Sequence, residues 1–467
     1  MSTLHSKAAQ RFQETNKDAR WHDDTFWSLR AKRDDMAHGL DEWEQLRDAA
    51  SAIKRHTVTH LDRYLEQFAG NAERNGVHVH WAKDAAEFNS TVLSILQEHD
   101  VKKMVKSKSM LTEECGMNPY LESHGIDVVE TDLGERILQL MHKQPCHIVV
   151  PAVHIKQEEV GRLFEEKLGS EKGNYDPTYL TYQARLSLRD EFMTAGAGMT
   201  GANFGVAETG DVVVCTNEGN ADMSTSMPRL HIVAMGLEKV VPDYRSLAVF
   251  QRLLCRAATG QPTTSFTSHF RKARPGAEMH IVLVDNGRTS IISQPEHWET
   301  LKCIRCGSCM NTCPVYRRSG GYSYTYFIPG PIGINLGMLK DKVRYADNVS
   351  ACTLCCSCDN VCPVKVNLSE QIYRWRQGLD SIGKADPVKK AMSVGMKYLF
   401  NHPLMYNTAL KFAPLANHMP RALMYNKLNG WGYGHEMPVF SKQPFHEIMK
   451  KDPPQPSPRE GAGRPKE

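Results

Sequence analysis

The sequence predicts an α/β domain with a largely parallel sheet, preceded by a helical arm and followed by a helical, cysteine-rich module. Three observations predict it. Short apolar segments alternate with helix-period stretches between about residues 76 and 284. Nine of the 13 cysteines fall between Cys303 and Cys362. The two flanks are helical in character, and the leading one is highly charged and poor in Gly and Pro.

The 467 residues are 41% hydrophobic and 24% charged, with a formal net charge of +4. That composition suits two to four globular domains and gives no ground for general nucleic-acid binding. No segment approaches the roughly 18 consecutive apolar residues of a membrane span. Residues 1–11 lack the apolar middle of a secretory signal, so a cytoplasmic chain is expected.

The arm is expected over residues 1–70, where Trp43, Leu46, Ala50, Ile53, His56 and His60 or Leu61 recur at helical spacing. The α/β domain is expected over 71–292. Its candidate strands are 77–81, 103–106, 127–130, 147–151, 211–216, 231–234 and 279–285. Helices are expected over 85–98, 133–142 and 155–168. The cysteine module is expected over 293–369, a helical region over 370–450 and a Pro-, Gly- and charge-rich disordered tail over 451–467.

The module repeats one pattern. Cys303, Cys306, Cys309 and Cys313 precede Pro314, and Cys352, Cys355, Cys358 and Cys362 precede Pro363. This C-x2-C-x2-C-x3-C-P run belongs to two-cluster ferredoxins, in which three closely spaced thiolates meet one cubane and the fourth meets the other. The expected ligand sets are therefore Cys303, Cys306, Cys309 and Cys362 for one [4Fe–4S] cluster, and Cys313, Cys352, Cys355 and Cys358 for a second. Tetrahedral zinc sites also use C-x2-C pairs, but seldom triplets with this spacing. Concentrated cysteines of this kind point to metal ligation in a reducing compartment rather than to a disulfide scaffold.

Two cysteine features lie outside the repeat. Cys115, Cys146, Cys215 and Cys255 are scattered singly and read as small buried hydrophobes. Cys356 stands beside Cys355 where a small residue would suffice, and reads as a bystander thiol. Between the two cysteine runs, Gly320, Gly321, Pro329, Gly330 and Pro331 mark a loop.

Residues 196–201 match G-x-G-x-x-G, but a dinucleotide site needs a strand before that motif and a helix after it. Here a charged, helix-like stretch precedes it and a strand follows, so a dinucleotide site is rejected.

Several further segments are distinctive. They are Lys106-Ser107-Lys108-Ser109-Met110, Glu130-Thr131-Asp132-Leu133-Gly134-Glu135, Pro151-Ala152-Val153-His154, residues 201–210, residues 216–220 and Gly236-Leu237-Glu238-Lys239-Val240-Val241-Pro242. Together they resemble the LUD domain of lactate-utilisation proteins. With the two-cluster module and the helical C-terminal region, the chain resembles the lactate-utilisation iron–sulfur protein B family from about residue 42 to 450.

The resemblance implies a sugar-phosphate isomerase/CoA-transferase-like α/β fold, two [4Fe–4S] clusters, and work as an electron-transfer subunit. The implied partners are a CCG-repeat cysteine-rich subunit and a second LUD-domain subunit. The implied reaction is NAD-independent oxidation of L-lactate to pyruvate, with electrons passing towards the respiratory chain. Two alternatives stand beside it: the same relay for another 2-hydroxy acid, or a transferase- or isomerase-type domain with regulatory clusters.

For substrate contact the residues offer Lys106 and Lys108 as cations for a carboxylate, Glu208 and Glu218 at expected strand ends, and His154 as a general base. Residues 381–450 contain nine Lys/Arg against three Asp/Glu, which suits docking to an acidic partner or to the inner face of the cell membrane.

Overall fold

The computed structural model describes residues 4–15, 19–384, 387–424 and 439–451. The expected tail lies outside the described residues from 452 onward. The chain divides into two units, residues 1–384 and 385–467. Among the described residues, no helix is long and apolar enough to cross a membrane.

Among the described residues, ten strands form two sheets in the first unit. They are β1 (His78–Ala82), β2 (Lys103–Lys106), β3 (Asp127–Glu130), β4 (Ala197–Gly201), β5 (Phe204–Val206), β6 (Asp211–Thr216), β7 (Leu230–Gly236), β8 (Val240–Val241), β9 (Phe266–Phe270) and β10 (Glu278–Val284). The larger sheet has the order β1-β10-β7-β4-β2-β3, and all its pairings are parallel. A parallel sheet must be covered on both faces. Successive residues divide accordingly: Met104, Ile232 and Val282 enter one core with the helix Ala85–Glu98, whereas Val233, Ile281 and Leu283 enter another with the helix Leu61–Arg74.

The smaller sheet, β8-β5-β6-β9, is mixed. Val212, Val214 and Val240 pack towards the larger sheet, while Phe204, Val206, Val213 and Val241 join the core shared with the cysteine module. The stretch 211–216 is thus a strand as expected, but it pairs antiparallel in this second sheet.

One local reading changes, and one rejected motif turns out to be a strand. Residues 147–151 form turns instead of a strand. The buried His147 ring accepts from the Val149 and Val150 N–H groups, both at 3.1 Å, which draws off donors that a ladder would need. The glycine-rich stretch is strand β4 itself, in the middle of the sheet, and not a phosphate loop. A Cβ on Gly198 would fall 1.6 Å from the Ser224 carbonyl oxygen, so the helix Asn220–Ser226 can approach β4 only over a glycine.

Among the described residues, the arm is four helices: α1 (Leu4–Thr15), α2 (Ala19–His38), α3 (Trp43–Thr59) and α4 (Leu61–Arg74). On α3, Trp43 and Ala50 are buried as their spacing suggests, but His56 and His60 are exposed. Arg47 and Lys54 take the inward positions instead, because their charged ends reach buried carbonyl oxygens.

The second unit holds the helices Pro387–Asn401, Pro403–Phe412, Arg421–Met424 and Phe445–Lys451. Phe400, Leu404 and Phe412 are exposed on them.

Candidate functional site: a charged cavity beside the cysteine loops

The two cysteine runs fold alike. Each begins with a loop whose third residue has a positive φ, Arg305 at 60° and Leu354 at 54°. That bend lets the backbone N–H of Arg305 donate to Cys303 Sγ at 3.4 Å, and that of Leu354 to Cys352 Sγ at 3.3 Å. Each loop then enters a short helix, Ser308–Thr312 or Ser357–Val361, and the two helices pack together, with Thr312 Oγ1 2.5 Å from Ser357 Oγ. The cysteines that close the runs are also served: Tyr316 N–H donates to Cys313 Sγ at 3.5 Å and Val366 N–H to Cys362 Sγ at 3.3 Å.

The sulfurs fall into two electrostatic neighbourhoods joined at Cys358. Cys309 feels Cys303, Cys306 and Cys362, and Cys313 feels Cys352 and Cys355, while Cys358 feels both Cys309 and Cys313. Burial pushes the thiol of Cys362 up to about 12 and that of Cys313 to about 11. Thiolates in such a place require positive charge at the centre of each group, which the irons of a cluster supply, and backbone N–H groups already point at the sulfurs. The donor set therefore fits the clusters. Depth differs across the two neighbourhoods: Cys306, Cys309 and Cys362 are buried and Cys303 half-buried in the first, whereas the second holds the buried Cys358 and the exposed Cys355.

The helical arm holds this module in place. Arg47 donates from Nε to the Cys362 carbonyl oxygen at 3.0 Å and from Nη2 to that of Asp359 at 3.3 Å. Arg33 Nη2 donates to the Val361 carbonyl oxygen at 3.1 Å. The His22 ring meets the Arg317 carbonyl oxygen at 2.8 Å, and Asp23 pairs with Arg317 at 2.9 Å. His147 bridges from the α/β domain. Its Nδ1 accepts the two N–H groups, so Nε2 carries the proton and donates to Asn311 Oδ1 at 3.0 Å.

Between the carboxyl ends of β2, β4 and β7 and this module lies a cavity of about 340 Å³. Open parallel sheets bind ligands at this edge. Lys108, Asp132, Asn203, Glu218, Lys239 and Arg288 line it from the α/β domain, and Arg305, Cys306 and Ile328 from the module. Cys306 thus belongs both to the buried sulfur group and to the cavity wall.

The charges in the wall are not all engaged. Arg288 is saturated by Glu114, at 3.0 Å to each carboxylate oxygen, and by Glu238 through Nε. Burial would raise the Glu238 carboxyl, but the positive charges of Arg288, Lys239 and Arg305 outweigh it and hold the group at about 2. Glu218 behaves oppositely: burial and the Asp132 charge push it up to about 7, against the Leu133 N–H and Lys108. Arg305 approaches Glu238 only to 4.0 Å, and its buried Nη1 has no partner. Burial lowers the Lys239 ammonium. Lys108 donates to the Val149 carbonyl oxygen at 2.6 Å, which leaves its charge uncompensated by that bond.

Of the five substrate candidates named from sequence, Lys108 and Glu218 line the cavity. Lys106 is wholly buried elsewhere, 2.8 Å from Glu130, 3.5 Å from Glu113 and 3.9 Å from Glu135, and those carboxylates raise it. Glu208 is exposed on the turn between β5 and β6. His154 lies between Cys146 Sγ at 2.8 Å and Tyr322 OH at 3.0 Å, with burial lowering it to about 4. Sequence reasoning missed Asp132, Lys239, Arg288 and Arg305. For Arg305 a signal existed, since it stands within the first cysteine loop.

Residues 65–290 match the LUD domain and residues 299–366 match the 4Fe-4S dicluster domain. Lactate utilization protein B of Bacillus pumilus is 40% identical over 91% of this chain and 92% of its own. The protein of that name from Geobacillus thermodenitrificans is 42% identical over 81% of each chain. YkgF of Escherichia coli, described as an electron transport protein, is 38% identical over 90% of this chain and 91% of its own. Among solved structures, a DUF162 family protein from Deinococcus radiodurans is 13% identical, covering 48% of this chain and 98% of its own, with a TM-score of 0.26. With a LUD domain, a dicluster module and relatives matched over nearly their whole length, this chain belongs to the lactate utilization protein B family.

Proposed function

We propose that this chain is the iron–sulfur electron-transfer subunit of a complex that oxidises L-lactate to pyruvate without NAD and delivers the electrons towards the respiratory chain. Its partners in this reading are a CCG-repeat cysteine-rich subunit and a second LUD-domain subunit. The ligands are Cys303, Cys306, Cys309 and Cys362 for one [4Fe–4S] cluster, and Cys313, Cys352, Cys355 and Cys358 for the other. When bound, such clusters take up and release single electrons. Oxidation of one lactate to pyruvate releases two electrons and two protons, so a pair of one-electron centres matches the reaction.

The observation that carries the reading is Cys306. It belongs to the buried sulfur group and also lines the charged cavity, while Cys355 of the other group is exposed. One group therefore faces a small-molecule site and the other faces solvent, where a partner protein can approach. In the cavity, Lys108, Lys239 and Arg305 suit a carboxylate, and Glu218 suits the hydroxyl proton of a 2-hydroxy acid.

The test is the visible absorbance of the clusters in the complex reconstituted with both partners. Lactate is expected to bleach it under anaerobic conditions. Bleaching by dithionite but not by lactate would sink the substrate claim. A second reading changes only the donor, to a larger 2-hydroxy acid, and the cavity of about 340 Å³ favours it because lactate leaves much of that space unfilled. Rates of bleaching across a panel of 2-hydroxy acids separate the two.

A further inference from the structure

The opposite edge of the larger sheet, where the strands begin, carries a second constellation. β1 and β10 pair in a register that sets His78 beside His280. In a strand, residues two apart share a face, so Glu278 and His80 stand on the same side as that pair. His99, which ends the helix Ala85–Glu98, comes in from above.

Three imidazoles converge on one oxygen. Glu278 Oε2 lies 3.2 Å from His99 Nε2, 3.7 Å from His280 Nε2 and 4.0 Å from His78 Nε2. Donor atoms of His78, Glu278 and His280 all lie within 4.8 Å of one another. Donors at about 2.0–2.1 Å around a tetrahedral ion stand about 3.4 Å apart, so these three close by side-chain rotation, and His99, already 3.2 Å from Glu278, would have to turn in as the fourth.

The other ring nitrogens are engaged as they are around bound metals. His99 Nδ1 lies 2.8 Å from the Ile95 carbonyl oxygen and must donate to it, which keeps a proton on Nδ1. His280 Nδ1 is 3.0 Å from His80 Nε2. His280 is 5% exposed, and its Nε2 is buried without any hydrogen-bond partner although it faces the cluster. A neutral His99 with Nδ1 protonated turns a lone pair towards the Glu278 carboxylate, as does His280 when its Nδ1 donates to His80. The contacts with Ile95 and Glu278 favour a protonated His99, so an incoming cation would displace that proton and then meet two lone pairs and the carboxylate at one point.

We propose that His78, His99, Glu278 and His280 form a binding site for one divalent ion of the borderline class, Zn²⁺ being the probe of choice, with His80 as an outer partner that orients His280. The three-imidazole, one-carboxylate set leaves no sulfur ligand and lies away from the cysteine module, so the ion would tie β1, β10 and the end of the helix together. Imidazole-rich sites of this kind select zinc, copper, iron or nickel over magnesium or calcium.

The test uses the anaerobically purified full chain with its clusters in place. Equilibrium dialysis against Zn²⁺ is expected to show one tight site per chain. The zinc X-ray absorption edge should report nitrogen and oxygen neighbours at about 2.0 Å and no sulfur at about 2.3 Å. His99→Gln and His78→Gln alter partly exposed side chains and should keep the fold by circular dichroism, yet each should weaken Zn²⁺ binding at least about tenfold. His280→Asn should abolish it. Absence of a tight site, sulfur in the first coordination sphere, or equal affinity in the His99 and His78 variants would overturn the proposal.

Discussion

Cys356 occupies in the second cysteine loop the position that Gly307 holds in the first, and both have left-handed backbones, with φ of 58° and 78°. Each follows the second cysteine of its run and caps the short helix that comes next. The first loop cannot spare its glycine, because a Cβ there would meet His147 Cε1 at 2.9 Å. The second loop has an exposed site, and a side chain is tolerated sterically although its backbone geometry favours glycine.

The ninth cysteine has a strained backbone, and the bystander reading makes a prediction for its replacement. Cys356→Gly is expected to raise stability by about 0.5–1 kcal/mol, the left-handed cost of a Cβ less the entropy of the added glycine. Electron paramagnetic resonance of the reduced protein should be unchanged, and denaturant midpoints read the gain. Loss of a cluster signal would make Cys356 a ligand and refute the bystander reading.

Crossed ligation predicts which variants resemble each other. Cys313→Ala should leave the same residual cluster spectrum as Cys355→Ala, and Cys362→Ala the same as Cys306→Ala. If Cys313→Ala instead matched Cys306→Ala, each run would hold its own cluster. Cys309 lies near Cys362, and Cys313 near Cys352 and Cys355, as the first outcome requires, whereas Cys358 lies near sulfurs of both sets.

Glu218 should make anion binding in the cavity dependent on pH. Its neighbours are Asp132, which repels its charge, and Lys108 and the Leu133 N–H, which favour it; burial adds the largest push, and the group titrates at about 7. Below that value Glu218 is neutral and adds no repulsion of its own to a carboxylate ligand. As pH rises through 7 the carboxylate charges, and affinity falls by up to about tenfold per pH unit. Calorimetric titration of pyruvate between pH 6 and 8 measures this, and Glu218→Gln should flatten the profile. An unchanged slope in that variant would remove Glu218 from the site.

Arg47 should matter to the clusters without touching them. Arg47→Ala removes a charged donor from the carbonyl oxygens of Cys362 and Asp359, which keep the N–H groups of Lys365 and Cys362, at a cost of about 1–3 kcal/mol. Iron release to a chelator should quicken correspondingly. Arg55→Ala, which removes an exposed pair with Glu299, should cost less than about 1 kcal/mol and leave iron release alone.

Much of the large sheet was legible because its strands are apolar runs: 103–106 and 127–130 match β2 and β3 in full. β4 was not, since Ala-Gly-Met-Thr-Gly carries no run of large apolar residues and its place depends on the close approach of Ser224. β8 and β9 are short or exposed and pair with partners distant in sequence, and β5 is only three residues long. The turn at 147–151 reads as a strand by composition and is diverted by the ring of His147.

The sequence by itself determined the cysteine sites, because loops that gather iron ligands use residues two and three apart, and that spacing is visible in one dimension. Tertiary structure alone decided the rest of the chemistry. Lys108, Glu218, Lys239 and Arg305 come from four separate segments and become one cavity wall only when the sheet, the turn at His147 and the module are packed together. Lys106 and Lys108 show the reason in two residues: near-identical in sequence context, one is the last residue of a strand and is buried among carboxylates, and the other lies beyond the strand end, in the cavity wall. Side-chain direction and burial separate them, and both depend on contacts that no local pattern records.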